Sequence, residues 1–301
     1  MTAKQAAQLE DRIFNVINHL FMLVLVVITL YPFWNTVAVS FNDAMDTIRG
    51  GISFAPRKFT LQNYKAVFAS GTIFNAFFIS LARTVIQTGA GVFFTSMIAF
   101  CLSRKEFIFR KPFTIVLVIS MYLNAGLIPY YFLMRGLHLT NTFLVYIVPG
   151  IVNVFNFVII RTYMHSLPES IIESAKIDGC GDFLIFIRII LPLCMPVLAT
   201  VALFVAVEAW NAWFDTLIYN SGRAYLHTLQ YKLMEFLQSS QSQAKGAADI
   251  GAMGMGGNTA MVTPVSIRAA ITVVAAVPIL VVYPFMQRYF VVGLNVGGVK
   301  E

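Results

Sequence analysis

Ser166-Leu167-Pro168-Glu169-Ser170-Ile171-Ile172-Glu173-Ser174-Ala175-Lys176-Ile177-Asp178-Gly179-Cys180-Gly181-Asp182-Phe183-Leu184-Ile185-Phe186-Ile187-Arg188-Ile189-Ile190-Leu191-Pro192 is the most informative polar segment of an otherwise apolar chain. Ser166 with Glu169, and Ser170 with Glu173, both have capping-box spacing, so a short helix is expected to begin at either. Gly179 is a natural left-handed stop. A second helix is expected with Asp182 as its cap and an apolar face of Phe183, Phe186, Ile187 and Ile190. Pro192 then marks the start of a long apolar run. A short capped helix braced by an amphipathic one is suited to docking into a groove and moving as a lever. It equally suits a surface tie between two membrane spans.

The surroundings of this loop decide its setting. The chain is 58% hydrophobic and 12% charged, against about 25% charged residues in soluble domains, so lipid must solvate most of it. Six runs are long enough to cross a hydrocarbon core: residues 19–40, 73–102, 113–133, 142–160, 192–219 and 267–285. Pro149, Gly150, Asn153 and Asn156 interrupt the fourth. The expected fold is an all-α membrane protein, a single transmembrane domain over residues 1–301. Lysine and arginine are denser in the segments that lie inside when both termini are cytoplasmic, which places the loop at 161–191 in the cytoplasm and the loop at 220–266 outside. The pI of about 9.4 reflects that bias and not nucleic-acid binding. Cys101, Cys180 and Cys194 fall near the inner face, where thiols stay reduced, so no disulfide is expected. Ala38-Val39-Ser40 has the form of a signal-peptide cleavage site, but its apolar stretch is too long, and it reads as an uncleaved span.

Function is constrained by what the spans contain. Glu208, Asn211 and Asp215 stand at i, i+3 and i+7 on the fifth, with Trp210 and Trp213 beside them, a face fitted to line an outer vestibule. Carboxylates and amides bind sugar hydroxyls, and aromatic rings cover sugar faces. In the second span Arg83, with Thr84, Gln87 and Thr88, either pairs with Glu208 or Asp215 or belongs to the solute path. His19, His138, His165 and His227 lack metal-ligand spacing, so no metal site is expected. A Gly-rich stretch, 246–258, reads either as a flexible finger for an external partner or as a linker. No nucleophile with a base stands in a span, which argues against a membrane-embedded enzyme. A self-sufficient secondary carrier or channel predicts an internal inverted repeat and paired broken helices, and no self-similarity between the halves is evident.

The loop resembles that of the inner-membrane permeases of ATP-binding-cassette importers, written E-A-A, three residues, G, nine residues, I-x-L-P. Here Glu173-Ser174-Ala175, Gly179 and Ile189-Ile190-Leu191-Pro192 stand at that spacing, with Ser174 replacing an alanine of the packed face. Asn75, Ala99-Phe100-Cys101-Leu102-Ser103-Arg104, the Trp210-Asn211 pair, and the tail from Gln287 to Lys300, with Asn295 where threonine is frequent, resemble the carbohydrate branch. The resemblance implies that Glu173, Ser174, Ala175, Asp178 and Gly179 form a coupling helix docking into a cytoplasmic ATPase. It further implies a second permease, two ATPase copies, an extracytoplasmic solute-binding protein and an oligosaccharide solute. No Gly-x4-Gly-Lys-Ser/Thr loop occurs here, so ATP and magnesium would be bound by the partner ATPase, and this chain would bind no cofactor.

Overall fold

A computed structural model describes residues 3–69, 71–238 and 263–295. Every regular element among them is helical; one isolated antiparallel bridge joins Asn42 to Phe59. The Gly-rich stretch at 246–258 and residues 296–300 of the tail lie outside the described residues, as do the side chains of residues 287–295. The chain divides into two compact units, Met1–Ser70 with Phe236–Val274, and Gly71–Glu235 with Ala275–Glu301.

In the first unit α1 (Ala3–Ser40) is a single helix whose side chains from Asp11 to Trp34 are exposed, as expected of a segment solvated by lipid. A polar knot follows. Asn63 donates from Nδ2 to the carbonyls of Ser40 and Asn42, both at 2.9 Å. Asn42 in turn donates to Asp46 Oδ2 and accepts from the Lys58 amide. Asn42 and Asn63 are buried, so their amides replace the water that this loop backbone would otherwise need. Two short helices, α2 (Ala44–Ile48) and α3 (Gln62–Ala69), pack around them.

The second unit is organised by α4 (Thr72–Ser103), 32 residues without a break and about 48 Å long at 1.5 Å per residue. Its Ala99, Phe100 and Leu102 enter a buried apolar cluster with Phe157, Ile160, Ile185, Phe186, Ile190 and Val201. The third predicted span is in fact two helices, α5 (Arg110–Tyr122) and α6 (Leu127–Gly136). Leu123 is extended between them, Gly126 has φ +83°, and Asn124 Oδ1 accepts from the Gly126 amide at 2.9 Å, a local turn that competes with the helix.

The fourth run breaks where its polar residues stand. Short 3-10 turns at Phe143–Tyr146 and Val148–Gly150 precede α7 (Val154–Ser166), whose amino end Asn153 caps by accepting from the Asn156 amide, and the two halves bend by 46°. Beyond α7 come α8 (Glu169–Ile177), α9 (Asp182–Ile185), a π-turn at Phe186–Ile190, α10 (Leu191–Leu193) and α11 (Met195–Asn211). The stretch Asp182–Leu193 meets α11 at an 82° bend. The fifth run then stops at Ala212, which is extended, and restarts as α12 (Phe214–Tyr219). After a helical stretch at 229–238 (α13), α14 spans Pro264–Asn295. Three described stretches are long and apolar enough to cross a membrane unbroken, Asp11–Ser40, Thr72–Ser103 and Val265–Val282, and the bent pairs make up to five.

Candidate functional site

Two polar constellations stand out, one at each end of α4. At its carboxyl end lies α8. Ile172 and Ala175 are buried in the apolar cluster, while Glu173, Ser174, Lys176, Ile177 and Asp178 are exposed, Ile177 at 86%. Ser174 is therefore not on the packed face: the small residue required there is Ala175. The helix closes as anticipated. Gly179 has φ +80°, its amide donates to the Lys176 carbonyl, and the Cys180 amide donates to the Ala175 carbonyl, both at 3.0 Å, a Schellman stop.

The helix starts differ from expectation. Neither capping box forms: Pro168 occupies the cap position of α8 without a side-chain bond, and Ser166 Oγ donates back to the Tyr163 carbonyl. Gly181 precedes the next helix and Asp182 is its first residue. Its apolar face is Ile185, Phe186 and Ile190, because the π-turn shifts the register; Phe183 is 65% exposed.

What sequence reading missed is how α8 is held from outside its own loop. Lys105, just past the end of α4, donates to a Glu169 carboxylate oxygen at 2.7 Å, and Lys176 donates to Glu106 at 2.7 Å, with Asp182 at 3.8 Å. Lys105 holds the Glu169 carboxyl below the ordinary range, and Lys176 does the same to Glu106. The detectable signal was the pattern itself: adjacent opposite charges at 105 and 106, and opposite charges seven residues apart on α8.

The other constellation surrounds Arg83, which is 4% exposed. It does not pair with Glu208. Its guanidinium forks onto Asp215, with Nη1 donating to Oδ1 at 3.1 Å and Nη2 to Oδ2. The same Nη1 reaches the Ala212 carbonyl at 3.4 Å, which the end of α11 has released from helical bonding. Gln87 Oε1 accepts from Arg83 Nε at 3.4 Å, and the Tyr146 ring lies beneath the guanidinium, 4.7 Å to its centroid. Tyr146 donates its hydroxyl to the Leu226 carbonyl at 2.8 Å and pairs with Thr216 Oγ1 at 3.1 Å. Tyr146 and Thr216 were not anticipated, since neither residue type signals a site by spacing.

The face predicted for Glu208, Asn211 and Asp215 is accordingly not formed, because the helix ends at Asn211 and Asp215 belongs to α12. Glu208 and Asn211 instead share an exposed face of α11 with Phe204 and Val207. Glu208 has no ion pair among the described residues, and Asn211 Oδ1 accepts from Gln230 at 3.3 Å. Trp210 is buried and donates to the Ala275 carbonyl at 3.0 Å, a packing role; Trp213 is half-buried with its ring edge-on to Phe214. Beside Trp210 an apolar cavity of about 390 Å³ runs between α4, α11 and α14, lined by Leu81, Val85, Leu203, Val207 and Ile279. Its walls offer sugar hydroxyls almost nothing to bond. Among the described residues no group of three or more His, Cys, Asp or Glu is placed to hold a metal.

Comparison with known proteins bears on both constellations. The chain is 33% identical, over 97% of its length and 100% of the relative's, to the polygalacturonan/rhamnogalacturonan transport system permease protein YtcP of Bacillus subtilis (strain 168). It is 30% identical, over 96% of each chain, to the arabinooligosaccharides transport system permease protein AraQ of the same organism. Its fold matches a chain of a bacterial ABC transporter involved in the import of the acidic polysaccharide alginate, with TM-score 0.82 and 24% identity, covering 93% of this chain and 98% of that one. The two bent spans are a feature that a self-sufficient carrier would also show, but a carrier needs no external binding protein, and the matching family is defined by one. Residues 7–295 match the family described as binding-protein-dependent transport system inner membrane component, and the chain belongs to it.

Proposed function

We propose that this chain is one of two pore-forming subunits of an ATP-driven oligosaccharide importer, lying in the cytoplasmic membrane with six crossings and both termini inside. In this reading α5 and α6 together make the third crossing, the bent pairs make the fourth and fifth, and α8 is the coupling helix. Its exposed Glu173, Ser174, Ile177 and Asp178, with the turn at Gly179, dock into one of two ATPase subunits that bind ATP and magnesium. The observation that carries this assignment is the Schellman-stopped α8, its buried side fixed by Ile172 and Ala175 and its far end presenting an 86% exposed Ile177. A partner groove would cover it together with Glu173, Ser174 and Asp178, which are exposed on the same short helix and its stop.

Transport follows by alternating access. ATP binding closes the ATPases, α8 is carried with them, and the two permeases open outward to a docked binding protein. The names of the relatives support an oligosaccharide solute. The chemistry of the spans refines it: Arg83 is already neutralised by Asp215, whereas Glu208 and Asn211 stand exposed. This chain therefore offers acceptors for sugar hydroxyls, and a counter-charge for any uronate carboxylate comes from the second permease.

Purification in mild detergent tests the assignment. Recovery with a second permease and an ATPase, and loss of solute-dependent ATP hydrolysis on Glu173→Ala, supports it. A partner-free chain that transports in vesicles overturns it. Competition of uptake by arabino- and galacturono-oligosaccharides then reads the solute class.

A further inference from the structure

Two of the membrane segments near α8 are bent, whereas α4 is one continuous helix from the α8 end to the Arg83 constellation. Its cytoplasmic end shares a buried apolar cluster with α8, and the turn just beyond that end, Lys105 and Glu106, is ion-paired to α8. The apolar joint is Phe100 and Leu102 of α4 in one cluster with Ile172 and Ala175 of α8. The polar joint is the crossed pair, Lys105 on Glu169 and Glu106 on Lys176.

The two joints do different work. Burial of Ile172 and Ala175 holds α8 against the bundle, but an apolar contact is non-directional and tolerates rotation and sliding. The ion pairs are exposed, with side chains 37–67% accessible, so they add little to the strength of attachment. What they fix is direction. Glu169 and Lys176 stand at opposite ends of α8, two turns apart on one face. Reversed docking would set Lys105 against Lys176 and Glu106 against Glu169, two like-charge contacts in place of two opposite ones.

At its other end α4 reaches the outer elements through side chains of its own. Asn75 donates to the Tyr225 carbonyl at 2.8 Å, Ser80 Oγ accepts from the Leu229 amide at 2.8 Å, and Arg83 holds Asp215 and Ala212. A displacement of α8 thus meets a continuous helix with side-chain contacts toward its other end, the kind of secondary element through which coupling can be carried.

We infer that α4 is the rod that carries the movement of the coupling helix to the outer half of the pore, and that Lys105 and Glu106 are positioning residues keying α8 to that rod. The inference rests on the importer reading. Its content beyond that reading is the route: through the α4 clamp and not through the bent α9–α11 segment that continues the coupling loop.

Charge reversal and charge exchange test it. The variants K105E, E169K and K105E/E169K are each assembled with the partner permease and ATPase and reconstituted with binding protein. Single reversals are expected to leave basal ATP hydrolysis intact while lowering solute imported per ATP by about threefold to tenfold, the scale of one pair lost and a repulsion gained. The double variant is expected to recover to within about twofold of the parent, since it restores an opposite pair. Hydrogen exchange at residues 170–177 of the isolated chain reads the clamp without partners: reversal should raise it and the exchange of charges should restore it. Unchanged uptake per ATP in the single variants, or no recovery in the assembled double variant, overturns the inference. Exchange indifferent to reversal overturns it even where uptake is normal. If exchange responds but the parent complex shows no ATP-dependent uptake, the importer reading itself has failed and takes the inference with it.

Discussion

The second predicted span and the fourth and fifth differ in one respect that organises this protein: α4 is continuous for 32 residues, whereas Phe143–Ser166 is bent by 46° and Asp182–Asn211 by 82°. All are apolar on average, although the fourth carries Pro149, Gly150, Asn153 and Asn156 where it breaks. The difference lies in who satisfies the backbone. A break inside lipid exposes carbonyls that have no water to turn to. Here α4 supplies the partners. Thr95 Oγ1 donates to the Ile151 carbonyl at 3.2 Å in the break of the fourth run, and Arg83 reaches the Ala212 carbonyl where α11 ends, well beyond the 82° bend at Cys194. Gly91 of α4 adds room, its position lying against the Gly150 and Ile151 carbonyls. The continuous helix thus supplies partners to the break of the fourth run and to the end of α11, while local backbone bonds to Ile190 and from Leu198 flank the bend at Cys194.

The most damaging way to break this arrangement is at Arg83. Arg83→Leu leaves Asp215 with its Arg partner gone beside an unpaired Ala212 carbonyl, and the expected cost is about 3 kcal/mol, the lower end for a broken buried pair because Asp215 is 24% accessible. Thermal unfolding of the purified chain checks it. An Arg83→Met/Asp215→Leu chain should unfold closer to the parent than either single variant, because no charge is stranded. If the double variant is worse than both, the pair does more than hold the break closed.

A smaller effect is expected at Gly179, where the chain turns after α8. No atom lies within 4 Å of a Cβ placed there, so the cost of Gly179→Leu is the φ of +80° alone, about 1–2 kcal/mol. Asparagine, which tolerates that conformation, should retain most uptake where leucine loses it. Equal uptake in the two variants would mean that the left-handed turn is dispensable, and with it the fixed aim of Ile177.

The glycines at the crossing of α4 with the fourth run separate contact from conformation. A Cβ at Gly150 would come within 2.5 Å of Gln87 Nε2, the end of a flexible side chain, whereas one at Gly91 meets nothing nearer than 3.7 Å. Gly150→Ala should cost about 1 kcal/mol and be relieved by Gln87→Ala, while Gly91→Ala should be nearly neutral. Melting temperatures of the three variants distinguish these outcomes. A large loss at Gly91 would show that the helices approach more closely during function than in this state.

These elements also show what the sequence could reveal. The stop at Gly179, the break at Pro149–Asn153 and the start of the fifth run near Pro192 were legible because each is written in residues whose backbone preference is local. The break at Ala212 was not, since Asn211-Ala212-Trp213 contains neither glycine nor proline. The carbonyl it releases is taken by Arg83, 129 residues earlier. The sequence offered both Glu208 and Asp215 as partners of Arg83, and the end of α11 at Asn211 is what puts Asp215 on a separate helix beside the guanidinium. The family pattern made the coupling loop recognisable, but Lys105 and Glu106 lie outside that pattern and acquire meaning only when the fold brings them to α8.

The smallest expected effect concerns that clamp and sharpens the contrast between rod and bend most finely. Lys105 lowers the pKa of Glu169, Lys176 lowers that of Glu106, and Glu106 raises that of Lys176. A depressed carboxylate contributes stability above its unfolded pKa and loses it as pH falls through the folded one. A raised lysine contributes below its unfolded pKa and loses it as pH rises through the folded one. The clamp is therefore complete between the ordinary carboxylate and lysine ranges and weakens on the acid side first. Because these side chains are largely exposed, salt also weakens it, the screening length being about 8 Å at physiological ionic strength. Hydrogen exchange at 170–177, corrected for its intrinsic pH dependence, should rise on acidification through the carboxylate range at low salt and rise less at high salt. Exchange within residues 92–100 of α4 should not move. If α8 ignored both pH and salt, Ile172 and Ala175 alone would set its position, and Lys105 and Glu106 would give α4 no directional hold on it.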